Sequence, residues 1–213
     1  MNADRNDFLL YAVTDRSWLG SQTLCDQVEQ ALLGGATCVQ LREKQLDETA
    51  FLEEARALRR LCRAYHVPLI INDSVDIALA VDADGVHVGQ DDLEAGAARQ
   101  KLGPHKILGV SAHSVEQARR AQAQGADYLG VGAVFPTATK ADAGALPPGE
   151  LGAICRAVPL PVVAIGGVTA DNVPSLAGTG IAGVAVVSAL FAQADIRQAA
   201  ARLRQQLAAV VSP

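Results

Sequence analysis

Residues 107–131 read ILGVSAHSVEQARRAQAQGADYLGV and contain one complete strand–helix–strand unit. The apolar runs Ile107–Val110 and Tyr128–Val131 predict strands, and the amphipathic stretch Val115–Gln124 predicts the helix between them. Ser114, three residues ahead of a glutamine, predicts a capping box at the start of that helix. The stretch is therefore typical of one parallel βαβ unit.

The same alternation recurs along the whole chain, with a period of about 27 residues if 213 residues are divided by eight. The strand candidates are Leu9–Val13, Cys38–Leu41, Leu69–Ile71, Gly85–Val88, Ile107–Val110, Tyr128–Val131, Val162–Ile165 and Gly183–Val187. The helix candidates are Thr23–Leu33, Asp47–Tyr65, Val75–Val81, Leu93–Lys101, Val115–Gln124, Gly149–Ala157, Asp171–Ala177 and Ile196–Ala209. This order predicts an α/β protein with a single-domain (β/α)8 TIM barrel over residues 1–213. The alternative is an open doubly wound sheet, which usually has fewer strands and a GxGxxG sequence after its first strand.

The composition narrows the class of protein. Half of the residues are hydrophobic but only 4% are aromatic, which favours a core of Val, Ile, Leu and Ala. The net charge of −5 gives no electrostatic footprint for nucleic acid, and the longest apolar stretch, about 181–192, is too short to span a membrane. The polar start MNADRND is no signal peptide, and four cysteines without CxxC spacing predict free thiols. These features predict a cytoplasmic protein without nucleic-acid or membrane partners.

Polar residues follow the predicted strands, and in a (β/α)8 barrel the carboxyl ends of the strands form the active site. Gln40, Arg42 and Lys44 alternate at the end of the second strand and would project from one face as a grip for an oligophosphate. The alternative is that both cations form ordinary surface ion pairs, for example with Glu43.

Asp73 and Asp92 follow the third and fourth strands, so their carboxylates are expected to meet at one mouth. Mg²⁺ is commonly held by one or two carboxylates together with substrate phosphate oxygens. Each aspartate alone could equally cap the helix that follows it.

Three further features lie near strand ends. The segment 133–147 is too long for a simple turn and is interpreted as a functional loop that carries Lys140, with an unimportant surface loop as the alternative. Gly166-Gly167 and Ser188 follow the last two strands, where barrels of this class often bind phosphate through backbone amides. For His87, a hydrogen-bonded structural role is favoured over catalysis.

With these residues located, the sequence resembles the thiamine-phosphate synthase (thiamine-phosphate pyrophosphorylase) family over nearly its whole length. The segments that carry the resemblance are YAVTD (11–15), QLREK (40–44), INDSVDIAL (71–79), DGVHVGQDD (84–92), LGVSAH (108–113), GADYLGVGAVFPTATK (125–140) and AIGGV (164–168). The resemblance implies an enzyme that joins hydroxymethylpyrimidine diphosphate to a thiazole phosphate. Its products would be thiamine phosphate and pyrophosphate, formed after pyrophosphate departs first.

The resemblance also implies roles for single residues. The pyrimidine diphosphate site would comprise Gln40, Leu41, Arg42, Glu43, Lys44, Asn72, Ser111 and Lys140, of which Arg42, Ser111 and Lys140 would be catalytic. The thiazole phosphate site would comprise Thr137, Ala138, Thr139, Gly167, Val187 and Ser188. One Mg²⁺ per active site would be held by Asp73 and Asp92. The implied partners are two phosphorylated small molecules, and a homo-oligomer is left open.

Two other functions are compatible with the scaffold. A thiazole tautomerase related to this family would keep the thiazole phosphate site, but it would not need Arg42, Lys44, Asp73, Asp92 or Lys140. A non-catalytic phosphate-binding regulator would bind ligand without turnover. Mixing the protein with both substrates, with and without Mg²⁺, distinguishes the three.

Overall fold

Eight parallel strands close into a barrel in the computed structural model, which describes residues 4–90, 92–137 and 145–211. The strands are β1 (Leu10–Val13), β2 (Cys38–Leu41), β3 (Leu69–Asn72), β4 (Gly85–Val88), β5 (Ile107–Ala112), β6 (Tyr128–Val131), β7 (Val162–Ile165) and β8 (Gly183–Val186). Each strand pairs in parallel with the next, and β8 pairs with β1. The predicted (β/α)8 barrel is thus confirmed.

Helices surround the barrel: α1 (Leu24–Leu33), α2 (Glu48–Ala64), α3 (Val75–Ala80), α4 (Ala95–Leu102), α5 (Val115–Ala123), α6 (Glu150–Ala157), α7 (Ser188–Phe191) and α8 (Ile196–Val210). Short 3₁₀ helices span Arg5–Phe8, Arg16–Trp18 and Val173–Leu176. In the described part of the chain, no helix combines the length and the apolar character needed to cross a membrane.

Two local predictions need correction. The α-helix predicted over Asp171–Ala177 is only a 3₁₀ helix over Val173–Leu176, because Pro174 disfavours the α conformation of Val173 and Ala177 already has an extended backbone. Only one of the two hydrogen bonds of the predicted capping box forms before α5. The Ser114 hydroxyl accepts the Gln117 N–H at 3.2 Å, but the Gln117 side chain accepts the N–H of His113 instead of that of Ser114.

Side chains alternate between the two faces of every strand, as the pleat requires. On β2, for example, Cys38 belongs to the cluster inside the barrel, whereas Val39 and Leu41 belong to the larger cluster between strands and helices. The lower interior is filled by aromatic rings of Phe8, Tyr11 and Tyr128 with the apolar side chains around them. The cavity that holds the inward polar residues Gln40 and Asn72 lies near the carboxyl ends of the strands.

The cysteines are free thiols, as predicted. Cys38 and Cys62 are buried, and Cys25 and Cys155 are half-buried. Burial raises the pKa of the Cys62 thiol to about 12, so this group stays protonated and unreactive at neutral pH.

Candidate active site

A cavity of about 160 Å³ opens at the carboxyl ends of the strands. Its lining includes several of the predicted site residues: Gln40, Arg42, Asn72, Ser111, Thr137, Gly167, Val187 and Ser188. The barrel order puts β2, β3 and β5 on one half of the wall and β7 and β8 on the other. The structure thus brings together most of the predicted residues that it describes.

Only some of the residues 40–44, at the end of β2, have side chains that line the cavity. Gln40 and Arg42 line the cavity, as their alternation predicts. Leu41 is fully buried in the outer core because it occupies the intervening, outward position of the strand. The Glu43 side chain also does not line the cavity, so any contact of these two residues with a ligand falls to their backbone.

Glu43 instead folds the turn that follows β2. Its carboxylate accepts the N–H groups of Lys44 and Gln45 at 2.7 and 2.8 Å, and its side chain is only 2% exposed. Arg16 lies 3.5 Å from Glu43 and donates to Glu54 at 2.7 and 2.9 Å. Arg16 thus clamps the turn that carries Arg42 and Lys44, a role that the sequence reading missed.

Asp73 and Asp92 interact through their carboxyl groups at the rim. Burial, followed by the contact with Asp92, raises the pKa of Asp73 to about 6, although Lys44 and Arg42 oppose this effect. Lys44 Nζ lies 3.7 Å from Asp73 Oδ2. Two acidic groups are therefore held together at a cost in electrostatic free energy.

Neither aspartate caps a helix. Ser74 caps α3 through its hydroxyl, and Glu94 precedes α4, while Asp92 accepts the Gly89 N–H at 2.7 Å. Asp73 has a left-handed backbone with φ of 64° and directly precedes the N-cap residue Ser74. The helix-cap alternative for these two aspartates is therefore wrong.

The two carboxylates suit a hard divalent cation. Within residues 4–90, 92–137 and 145–211, no set of three or more His, Cys, Asp or Glu side chains could hold a metal. Two carboxylates leave positions for phosphate oxygens and water, which is the usual donor set of Mg²⁺. A cation here would also relieve the repulsion between Asp73 and Asp92.

The opposite half of the wall is built from backbone. Gly166 and Gly167 have φ values of 94° and 64°, and a Cβ on Gly167 would lie 2.8 Å from the carbonyl oxygen of Phe135. Asn172 holds this turn because its amide donates to the Gly167 carbonyl at 2.8 Å. Ser188 begins α7, a short helix that the sequence reading missed. Glycine is needed here by both conformation and space.

Part of the predicted site cannot be placed. Thr137 lines the cavity, whereas Ala138, Thr139 and Lys140 lie outside the described residues. The middle of the predicted functional loop 133–147 lies outside them as well.

Tyr11 and Tyr128 line the cavity but were not predicted as site residues, and His87 was given only a structural role. Tyr11 and Tyr128 line the floor and are 1% and 0% exposed, and His87 bonds to both Tyr128 and Ser111 at 3.0 Å. The hydrogen-bonded role that was favoured for His87 is confirmed. Their inward strand positions were the signal that could have identified them.

Comparisons with known proteins identify the family of this chain. A model of a family described as thiamine monophosphate synthase matches residues 10–190, which include every predicted site residue. The chain belongs to this family. The match to the thiamine monophosphate synthase family thus includes all eight strands, from β1 to β8.

Relatives extend the match to nearly the full length. The chain is 53% identical over 197 residues to a thiamine-phosphate synthase of Ruminiclostridium cellulolyticum, covering 92% of this chain and 94% of that protein. It is 48% identical over 201 residues to a thiamine-phosphate synthase of Alkaliphilus oremlandii, with coverages of 94% and 96%. A solved thiamine phosphate pyrophosphorylase of Pyrococcus furiosus superimposes with a TM-score of 0.90 at 40% identity, covering 98% and 99%. Thiamine monophosphate synthase family members of this similarity share both the fold and its length.

Proposed function

We propose that this chain condenses 4-amino-5-hydroxymethyl-2-methylpyrimidine diphosphate with thiazole (carboxy)phosphate, releasing thiamine phosphate and pyrophosphate, together with CO₂ when the thiazole carries the carboxyl group. One observation carries the proposal: a single cavity has cationic and amide side chains on one half of its wall and glycine-rich backbone on the other. Two phosphorylated substrates need two different anion-binding surfaces that meet at one point. Membership of the family supplies the substrate names.

The diphosphate would bind beside β2, β3 and β5. Arg42 and Lys44 supply positive charge, and Gln40, Asn72 and Ser111 supply hydrogen-bonding groups from the same half of the wall. Leu41 and Glu43 would contribute through backbone alone. Lys140, outside the described residues, would complete the site.

Asp73 and Asp92 would hold one Mg²⁺, which would supply positive charge to the departing diphosphate. The donor set supports this role, since two adjacent carboxylates at the rim lie next to Arg42 and Lys44. Binding of a cation would lower the electrostatic repulsion between the two carboxyl groups.

The thiazole phosphate would bind on the half formed by β7 and β8. Backbone N–H groups near Gly167, Val187 and Ser188 can donate to phosphate oxygens, because helix starts and glycine turns leave such groups available. Thr137, together with Ala138 and Thr139, would close this side.

The chemistry needs no nucleophilic side chain. The bond between the pyrimidine methylene carbon and the diphosphate oxygen breaks, and its electron pair leaves with pyrophosphate. The thiazole nitrogen then donates its lone pair to the methylene carbon. Arg42 and Lys140 would stabilise the developing charge on the leaving group, with Ser111 as a hydrogen-bonding group.

The test incubates the full chain with both substrates, with and without Mg²⁺, and measures thiamine phosphate and pyrophosphate. Equal amounts of both products, formed only with Mg²⁺, are expected. Conversion of a thiazole phosphate isomer without the diphosphate would indicate a tautomerase, and ligand binding without turnover would indicate a regulator. The free thiols favour a cytoplasmic location, and a homo-oligomer is compatible with this activity.

A further inference from the structure

Five side chains form a hydrogen-bonded row across the cavity floor. Gln40 Nε2 donates to the Tyr11 hydroxyl at 2.9 Å, and the Tyr11 and Tyr128 hydroxyls lie 2.9 Å apart. His87 Nδ1 lies 3.0 Å from the Tyr128 hydroxyl, and His87 Nε2 lies 3.0 Å from Ser111 Oγ. The row links two residues of the proposed diphosphate site through three residues that have no role in it so far.

The chemistry of the groups gives the row a direction. An amide nitrogen can only donate, so the Tyr11 oxygen accepts from Gln40 and the Tyr11 hydrogen is available to Tyr128. If Tyr11 donates its hydrogen to Tyr128 rather than to the neighbouring Cys38 thiol, the single hydroxyl hydrogen of Tyr128 points to His87 Nδ1. A neutral imidazole that accepts at Nδ1 carries its proton on Nε2, so it donates to Ser111.

Burial keeps this pattern in place. Tyr11 and Tyr128 are shielded from water, and burial raises the pKa of both phenols well above their usual value, so both stay protonated. Buried polar groups that lose their partner carry a desolvation penalty, which holds each hydrogen to its acceptor.

Two glycines make room for the row. A Cβ on Gly109 would overlap the Tyr128 ring and hydroxyl, and a Cβ on Gly130 would lie 2.9 Å from His87 Cε1. Both glycines lie inside strands, β5 and β6, where glycine weakens the strand and often marks a close approach of other atoms. The lack of side chains at Gly109 and Gly130 thus leaves room for the rings of Tyr128 and His87.

We propose that Tyr128 and His87 are positioning residues that hold the Ser111 hydroxyl as a hydrogen-bond donor to the substrate, while Tyr11 turns the Gln40 amide so that its oxygen accepts. Because His87 donates to Ser111 Oγ, the Ser111 hydrogen is free to reach a ring nitrogen or a phosphate oxygen. Because Gln40 Nε2 donates to Tyr11, Gln40 Oε1 is left to accept an amino hydrogen. The proposal rests on the proposed function for the identity of the substrate.

The first test measures the protonation pattern of His87 directly. The full chain is labelled with ¹⁵N-histidine, and NMR couplings between ring nitrogens and carbon-bound protons identify the tautomer, with His87 assigned by its loss in His87→Gln. The proton is expected on Nε2 in the wild type. A proton on Nδ1 alone would overturn the proposal, and this measurement depends on no variant of Tyr128 and on no activity.

The second test is kinetic and uses Tyr128→Phe, which keeps the ring and removes the hydroxyl. Loss of one hydrogen bond predicts about a tenfold lower kcat/KM for the pyrimidine diphosphate, with an unchanged KM for the thiazole phosphate. Tyr65→Phe is the matched control, since its hydroxyl bonds to Glu29 at 2.8 Å on the outer surface of the barrel. It should leave both kinetic constants unchanged.

A double variant separates positioning from general damage. If Tyr128 acts through Ser111, Tyr128→Phe should cost little further activity in a Ser111→Ala background. Fully additive losses, or a Tyr128→Phe variant with wild-type kinetics, would refute the proposal. A wild type that makes no thiamine phosphate but keeps the Nε2 proton would instead remove the proposed function and leave the hydrogen-bonded row intact.

Discussion

Lys44 Nζ lies 3.7 Å from Asp73 Oδ2, so a cation proposed to bind the diphosphate lies beside a carboxylate proposed to bind the metal. In the absence of substrate, each group partly satisfies the other. Arrival of diphosphate and Mg²⁺ together would let Lys44 turn to phosphate while Asp73 turns to the cation. The two ligands are therefore expected to bind with positive cooperativity.

Asp73→Asn and Asp92→Asn should each lower synthesis about a hundredfold, partly recoverable with excess Mg²⁺, because a neutral amide replaces an anionic ligand of a hard cation. In EDTA both variants should melt no lower than the wild type, since each removes the repulsion between the carboxyl groups. Asp82→Asn is the matched control, because Asp82 shares the left-handed backbone of Asp73 but pairs with Lys106. Normal, Mg²⁺-independent synthesis in the two test variants would show that the metal site is wrong.

Gly167→Val should raise the KM for the thiazole phosphate more than tenfold and change the KM for the diphosphate far less. The new side chain would collide with the Pro136 and Phe135 carbonyls and would strain a backbone with φ of 64°. Gly178→Val carries similar strain at φ of 76° but meets no atom within 4 Å, so it should lower stability without changing either KM. Equal kinetic effects of the two substitutions would contradict the assignment of the thiazole phosphate to this turn.

Arg16→Gln should weaken diphosphate binding although Arg16 does not line the cavity. The substitution removes the cation that lies 3.5 Å from the Glu43 carboxylate, and we expect a loss of about 1–3 kcal/mol in the free energy of unfolding. Arg202→Gln breaks an exposed pair with Asp171 and should change stability by less than about 0.5 kcal/mol. Thermal melting and substrate titration test both. If a destabilised Arg16→Gln variant keeps an unaltered KM for the diphosphate, Arg16 stabilises the fold but does not support diphosphate binding.

Gly130→Ala should lower kcat/KM for the diphosphate about tenfold, because the added methyl group forces the His87 ring away from Ser111. Gly96→Ala is the control, since its Cβ would meet only Gln124 at 3.8 Å on the surface of α4. That change should stabilise the chain by about 0.5–1 kcal/mol through helix propensity. Steady-state kinetics with a melting curve for each variant decide the outcome, and wild-type kinetics for Gly130→Ala would mean that the ring adjusts without consequence.

The strands were predictable because short apolar runs such as Val162–Ile165 are bounded by clear turn signals, and the structure reproduces that range without change. The α-helix predicted over Asp171–Ala177 was wrong because the periodic pattern was given more weight than Pro174, which disfavours the α conformation of the residue before it.

The candidate site was predictable where polar residues directly follow strands, as for Arg42 and Asp73. The row from Gln40 to Ser111 was not, because it depends on which side chains face inward on β1, β2, β4, β5 and β6 and on how closely the closed barrel brings them. Local sequence indicates the face of each strand, but distances across the barrel follow from closure and from glycines such as Gly109.

Aromatic rings form the inner end of the cavity. Phe8 and Tyr128 stack with ring centroids 4.3 Å apart, and Tyr11 lies against both, so aromatic and apolar side chains fill the interior below the cavity. Substrates and products are therefore expected to enter and leave through the opening at the carboxyl ends of the strands. The ligand that binds deepest in the cavity is then expected to bind first and to leave last. An unreactive substrate analogue bound at the opening would prevent release of the ligand below it.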